Sequence, residues 1–284
     1  MKRILACTAS DFGKPQTPNE LKESIAASEG RTIIIDIAAE RSPLYPEVTN
    51  AELVAAFGAD LLLLKDIDVS KWQIGGLGEI SHLDEIRKLT GLGIGVNLEV
   101  SDTAPLYKRI SEEALQAVLQ KGPDFLSITA YLRPEATPAR IVEDIRLTRH
   151  YYDGFLMLNP VINHGMQLDS KTLRSYVEAG VDLLVLPCPG AVPGITENKL
   201  ETVISELKQT GVLISCTMGT SQEGADKETV QQLALAAKRV GSDVVEMGDA
   251  GVAGMPVPEN IYHVSNAIRG QRHTWVRMAR SANR

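Results

Sequence analysis

Acidic and amide side chains recur inside runs that are otherwise apolar and of strand length. In Ile94-Gly95-Val96-Asn97-Leu98-Glu99-Val100 the apolar residues alternate with Asn97 and Glu99. One face of such a strand is apolar, and the other carries an amide and a carboxylate close to its C-terminal end. The same alternation puts Asp36 in Thr32 to Ala38, Ser127, Thr129 and Tyr131 in Asp124 to Leu132, and Asn159 in Gly154 to Val161 on the polar-bearing face. Ser215 and Thr217 in Val212 to Thr217 and Glu246 in Asp243 to Gly248 follow the same parity. Asp36, Glu99 and Glu246, with Asp66 or Asp68, would line one arc. Carboxylates that close cannot all stay ionised without a counter-charge. Either a hard divalent cation such as Mg²⁺ binds Asp36, Glu99 and Glu246, or one carboxylate has a raised pKa and acts as general acid or base. Lys65, Arg133 and backbone amides could instead anchor some of them. In the catalytic reading Asn97 and Asn159 orient substrate oxygens.

Two glycine-rich segments offer a second kind of chemistry. Thr217-Met218-Gly219-Thr220-Ser221 and Gly248-Asp249-Ala250-Gly251-Val252-Ala253-Gly254 each follow a strand-like run, and Pro258-Glu259-Asn260 then opens a helix. Backbone N–H groups freed by glycine approach anions closely, so Gly219, Thr220, Ser221, Gly248, Ala250, Gly251 and Gly254 are expected to hold a phosphate. Asp249 would repel that phosphate unless it points away or binds a metal. His164, in Asn159-Pro160-Val161-Ile162-Asn163-His164, is a candidate proton-transfer group because imidazole titrates near neutrality. Cys188 lacks an identifiable activating base and reads as buried and structural. Lys65 suits an ion pair or a Schiff base.

The elements that must position these groups alternate regularly. Eight strand-like runs, the six named above with Asp60 to Lys65 and Asp182 to Pro187, are separated by stretches of helical period such as Asn50 to Phe57, Pro138 to His150 and Lys227 to Val240. Near-continuous Ile, Leu and Val in the runs is the signature of parallel strands covered on both faces. Gly-x-Asp turns such as Gly58-Ala59-Asp60 and Gly241-Ser242-Asp243 introduce several of them. Eight βα units without a Pro-, Gly- or Ser-rich linker predict a single (β/α)8 TIM barrel, its strand C-termini forming the mouth. The expected divisions are an N-terminal extension over residues 1–30 with a short helix from Asn19 to Ser28, a barrel over 31–270, and a basic tail over 271–284. Five arginines lie between Arg269 and Arg284. They read as a solvated helix end or as an anion or subunit contact. No residue-level repeat is evident beyond the βα period.

Composition narrows the functional classes. With 44% hydrophobic and 23% charged residues over 284 positions the chain can bury a core. A formal charge of −7 argues against a nucleic-acid-binding surface. Three separated cysteines, no apolar run of about 18 residues and no signal-like start point to a soluble cytoplasmic protein without a membrane span. A homo-oligomer is expected. The partner expected is a small phosphorylated sugar or acid metabolite, turned over by lyase or isomerase chemistry. No nucleotide or flavin cofactor is expected. The alternative from a different class is a non-catalytic, regulatory barrel that binds the metabolite without converting it.

Several segments carry a family resemblance: Cys7-Thr8-Ala9-Ser10-Asp11-Phe12, Gly219 to Asp226, Gly248-Asp249-Ala250-Gly251, Pro258-Glu259-Asn260-Ile261 and Ile268 to Thr274. Together they resemble a bacterial barrel family over nearly the whole chain. Its members are often labelled haloacid dehalogenase-like hydrolases, and some are likened to phosphoenolpyruvate phosphonomutase. The hydrolase label implies that Asp66 attacks phosphate and Asp68 donates a proton, within Leu61 to Ser70. Ser70 departs from that superfamily's D-x-D-x-[TV] pattern, and its second late acid is missing after Asp249. That superfamily also uses an open sheet with a cap, unlike the barrel predicted from the strand count.

Overall fold

The computed structural model describes residues 2–13, 17–163, 165–219 and 221–282. The described residues form ten strands and nine α-helices, beginning with α1 (Pro18–Ala26), β1 (Thr32–Ala38), α2 (Asn50–Ala56), β2 (Leu61–Lys65), β3 (Gln73–Ile74), β4 (Gly78–Glu79), α3 (Asp84–Thr90) and β5 (Gly93–Glu99). The chain continues through α4 (Glu112–Leu119), β6 (Phe125–Thr129), α5 (Pro138–Tyr151), β7 (Phe155–Asn159), α6 (Ser170–Ala179) and β8 (Leu183–Pro187). It ends with α7 (Glu197–Lys208), β9 (Leu213–Thr217), α8 (Lys227–Arg239), β10 (Val244–Met247) and α9 (Pro258–Met278). Eight strands close a parallel barrel in the order β1, β2, β5, β6, β7, β8, β9, β10, with β10 pairing back to β1. The two short strands β3 and β4 form an antiparallel hairpin after β2, which the sequence reading did not anticipate.

The parity argument holds in the core. Ile33, Ile35, Leu62, Leu64, Ile94, Val96 and Leu98 belong to the outer core under the helices. Ile34, Leu61, Leu63, Phe125, Phe155, Met157, Leu183, Val185, Leu213 and Val244 fill the barrel interior. Gly95 on β5 is a space requirement, because a Cβ there would lie 2.2 Å from the Phe125 ring. The interior is closed at the N-terminal end of the strands by Ile4, Leu5, Phe12, Leu21 and Ile25 from the segment preceding β1. Helices start where side chains satisfy their first N–H groups: Thr49, Ser111, Thr137, Asp169, Thr196 and Asp226 each accept from the first turn.

A repeat that the sequence hides appears at the same end. Asp60, Asp124, Asp182 and Asp243 stand just before β2, β6, β8 and β10. Each accepts the N–H of Ile33, Ile94, Leu156 or Ile214 on the preceding barrel strand, at 2.8 to 2.9 Å. Their own N–H groups donate back to the carbonyls of those same residues at 2.8 to 3.0 Å. Glycine two positions earlier has positive φ in every case (Gly58, Gly122, Gly180, Gly241), which aims the turn. Each carboxylate also takes a cation from the helix before that strand pair: Arg87 of α3, Arg149 of α5, Lys208 of α7 and, closing the circle, Arg269 and Arg277 of α9. The barrel is thus four βαβα quarters, each bracketed by one aspartate.

These brackets correct the reading of the basic tail. Arg269 and Arg277 are buried against Asp60, and Arg280 donates to the carbonyls of Cys7 and Leu5. They fix α9 to the barrel and the N-terminal plug instead of forming a solvated end. Removing one partner of a buried ion pair typically costs about 3–5 kcal/mol, whereas an exposed pair contributes about 1 kcal/mol or less. Urea unfolding should therefore show Asp60→Asn losing about 3–5 kcal/mol. Asp243→Asn should lose distinctly less, since its partner Lys208 is 38% exposed. Equal losses would contradict the assignment.

Candidate active site at the barrel mouth

Two carboxylates and a lysine from adjacent strands meet near the barrel axis. Asp36 on β1 and Glu246 on β10 are each 1% exposed. Lys65, the last residue of β2, places its Nζ 3.3 Å from Asp36 Oδ2. Ser215 on β9 donates to Glu246 Oε2 at 3.2 Å. Burial pushes the Asp36 carboxyl up to about 6 despite the lysine, with Asp249 adding repulsion and hydrogen bonds from Lys65 and Glu246 opposing it. Burial and the neighbouring Asp36 push Glu246 well above the usual carboxylate range. Lys65 is held charged: the surrounding Asp36, Tyr131, Asp249 and Glu246 outweigh its desolvation and raise its pKa. The arrangement brings one ammonium and two carboxyl groups together, with burial and the neighbouring Asp36 pushing the Glu246 carboxyl toward its neutral form.

A cavity of about 490 Å³ opens above this group and is walled by Lys65, Tyr131, Glu99, Arg41 and the loop from Asp249 to Gly254. No ion-pair partner for Arg41 is present among the described residues. Its stem packs against Gly254, where a Cβ would meet Arg41 Cγ at 2.7 Å.

The expected carboxylate arc is smaller than the sequence suggested. Glu99 does reach the mouth, but its Oε2 lies 3.1 Å from Arg133, which also donates to Ser101 and Thr103. Asp66 is outside the barrel parity, at φ 51°, and pairs with Lys108. Asp68 accepts from the N–H and hydroxyl of Ser70 and faces Lys71. Among the described residues no three His, Cys, Asp or Glu side chains gather as a group that could hold a metal ion. Glu99 faces an arginine, and an ammonium already occupies the space beside Asp36. Asn97 is inside the barrel and accepts from Thr129 at 2.7 Å. Asn159 ends β7 but accepts from Val161 N–H, so its carboxamide oxygen is committed locally. His164 and Thr220 lie outside the described residues.

The two glycine loops are close together, but their glycines answer first to packing. A Cβ on Gly251 would sit 2.7 Å from Met255 O and Val257 N, and one on Gly248 would sit 2.7 Å from Glu223 Oε1. A Cβ on Gly219 would meet Thr217 at ordinary van der Waals distance, and Ser221 is exposed at φ 70°. The Ala250 N–H, expected to face phosphate, donates to Glu223 Oε1 at 3.1 Å. Cys7, Cys188 and Cys216 are buried thiols, and burial raises the pKa of all three.

Sequence reasoning undervalued Lys65 and missed Arg41 and Glu223. Lys65 shares parity with Leu61 and Leu63, but the uniform Leu61 to Leu64 run gives no alternation from which to read it. Arg41 and Glu223 lie in loops, where no period applies.

A closed eight-stranded parallel barrel with its polar groups gathered at the strand C-termini defines a TIM barrel. The chain belongs to the family described as Domain of unknown function (DUF7916), whose family model matches residues 5–284. No curated protein matches the sequence. Among solved structures, the fold is similar to the carboxyl transferase domain of Rhizobium etli pyruvate carboxylase with pyruvate and biocytin. That match has TM-score 0.55 and 13% identity, covering 91% of this chain and 50% of that one. FabK from Thermotoga maritima matches at TM-score 0.50 and 14% identity, covering 84% and 63%. A "putative lyase/mutase" from Burkholderia cenocepacia J2315 matches at TM-score 0.50 and 21% identity, covering 82% of both chains. This chain spans about half the length of the carboxyl transferase structure. Identities this low show a shared fold. The haloacid dehalogenase resemblance finds no support, because the sheet is closed and Asp66 and Asp68 are turned to separate partners. No helix among the described residues is long and apolar enough to cross a membrane.

The protonation pattern has a stability consequence. Asp36 has a folded pKa above its unfolded value, so its contribution is largest below about pH 4 and falls as pH rises toward 6. Removing Lys65 raises that pKa further. Lys65→Met should therefore destabilise by about 3–5 kcal/mol near neutrality, and by less at about pH 5. Glu246→Gln, which replaces a neutral carboxyl by a neutral amide, should change stability by about 1 kcal/mol or less. Urea unfolding of both variants at the two pH values checks this order.

Proposed function

We propose that this protein is an acid–base enzyme of the lyase or isomerase type, acting on a small oxo or hydroxy acid in the cavity at the barrel mouth. The observation that carries the reading is the Asp36–Lys65–Glu246 group beneath that cavity. A charged lysine in a partly dry site stabilises the negative charge that develops on a carbonyl oxygen when a neighbouring carbon loses a proton. A carboxyl titrating near 6 is matched to proton transfer near neutrality. Lys65 would hold the developing oxyanion and Asp36 would exchange the proton. Glu246 keeps the Asp36–Lys65 pair in register, and Asn97 orients a substrate oxygen. Arg41 would take the ligand's anionic group, a carboxylate or a phosphate, so that binding energy remote from the reacting carbon positions it. No step in this reading requires a metal ion.

The test begins with ligand-induced thermal shifts against phosphorylated and unphosphorylated oxo and hydroxy acids, because a ligand that binds only the folded state raises the midpoint. A hit is then followed by NMR in D₂O for hydrogen exchange at carbon or for conversion. The expected result is a ligand whose shift shrinks at least tenfold in apparent affinity in Arg41→Ala and whose exchange is lost in Lys65→Met. A ligand that binds equally to the variants would contradict the site. Binding without exchange or conversion would favour the non-catalytic barrel.

A further inference from the structure

Glu223 lies in the short turn after β9, outside the proposed proton-transfer group. It is 1% exposed, and its Oε2 has no hydrogen-bond partner. Its Oε1 accepts from the Ala250 N–H of the loop after β10 at 3.1 Å, and its own backbone N–H, in the loop after β9, favours the charged carboxylate. A carboxyl group from one of the two loops that were expected to hold a ligand's anion is thus held by an amide of the other. Its carboxylate touches the open face of Gly248, where a Cβ would come within 2.7 Å of Oε1. Asp249 and Lys65, the charged groups acting on it, belong to the wall of the mouth cavity.

A buried acceptor without a hydrogen-bond partner costs about 1–3 kcal/mol, a cost that Glu223 shares with the bracket residue Asp60 but without an arginine beside it among the described residues. Here one oxygen is orphaned. The turn that carries Glu223 is reached through Ser221 at φ 70°, a strained value for a non-glycine residue. Gly224 on its other side packs face to face with Gly251, with a Cβ position 3.4 Å from Gly251 Cα. Two loops joined through glycines, around a partly satisfied carboxylate, form a preformed anion cradle with an internal occupant.

We propose that Glu223 is an intramolecular stand-in for a ligand oxyanion, and that a tetrahedral anion such as a phosphate group binds the Glu223 and Ala250 amides by displacing this carboxylate. The displaced side chain leaves one acceptor for two donors, and a tetrahedral oxyanion supplies several acceptors to the same donors. The inference adds an anion site to the cavity reading and rests on it only for the location of the rest of the ligand.

Sulfate is the probe, because its charge is constant between about pH 5 and pH 8. Isothermal titration at fixed ionic strength compares wild type, Glu223→Ala and Glu223→Gln, with Arg41→Ala as a fourth protein. Both Glu223 variants are expected to bind sulfate more tightly than wild type, Glu223→Ala by at least tenfold because the cradle is emptied and a like charge removed, and Glu223→Gln by less because only the charge is removed. The glutamine variant preserves volume and keeps the test valid if the alanine variant does not fold. Sulfate affinity unchanged or weakened in the folded Glu223 variants overturns the stand-in. If sulfate binding depends on Arg41 but not on Glu223, this inference falls while the cavity reading stands. If it depends on Glu223 but not on Arg41, the anion-binding role given to Arg41 is the part that fails.

Discussion

Four buried or half-buried aspartates at the start of β2, β6, β8 and β10 set the register on which everything else depends. Each ties its own strand to the preceding barrel strand by accepting a backbone N–H on its carboxylate and donating its own N–H to the same residue's carbonyl, and each faces a cation from a neighbouring helix. A one-residue slip in any strand would exchange its interior and exterior side chains. Fixing register at one end therefore determines which residues face the axis at the other. With the N-terminal end closed by the plug before β1 and locked by these brackets, the C-terminal end is free to carry groups that do not stabilise the fold.

The mouth uses that freedom to hold uncompensated polarity. Two carboxyl groups and one lysine from three consecutive barrel strands cannot all be charged at low cost in a site this dry. The ammonium is favoured, and burial pushes both carboxyls toward their neutral forms, Glu246 well above the usual carboxylate range and Asp36 up to about 6. Lys65 is therefore a fixed cation and not an amine nucleophile, since a Schiff base needs the neutral form. The same logic governs Glu99, whose carboxylate pairs with Arg133, itself held by the hydroxyls of Ser101 and Thr103. It is thereby separated from the group at the axis.

Much of this was readable from residue order. Alternation in Ile94 to Val100 placed Asn97 and Glu99 on the axis side, and the same parity placed Asp36, Ser215 and Glu246 there. Lys65 and Arg133 were identified as possible counter-charges, and both are. The importance of Lys65 was obscured because Leu61 to Leu64 has no polar residue to reveal parity. The fourfold repeat was hidden because only a glycine and an aspartate recur, and the cations that complete it come from different distances along the chain. The phosphate expectation for Gly248 to Gly254 rested on glycine content, but glycines there also allow loops to touch, as Gly251 does at Met255 and Val257. No local pattern could show that Glu223 would arrive at the Ala250 amide from another loop.

The central claim is that one carboxyl at the barrel axis titrates near neutrality because it is buried between Lys65 and Glu246. Carboxyl-selective ¹³C NMR titration of the wild-type protein and of Asp36→Asn measures it directly. The account predicts an aspartate side chain titrating at about 6 that is absent from Asp36→Asn, with Glu246 still protonated where ordinary glutamates are fully ionised. An Asp36 carboxyl that titrates near 4, or a Glu246 that is ionised at neutral pH, would contradict it.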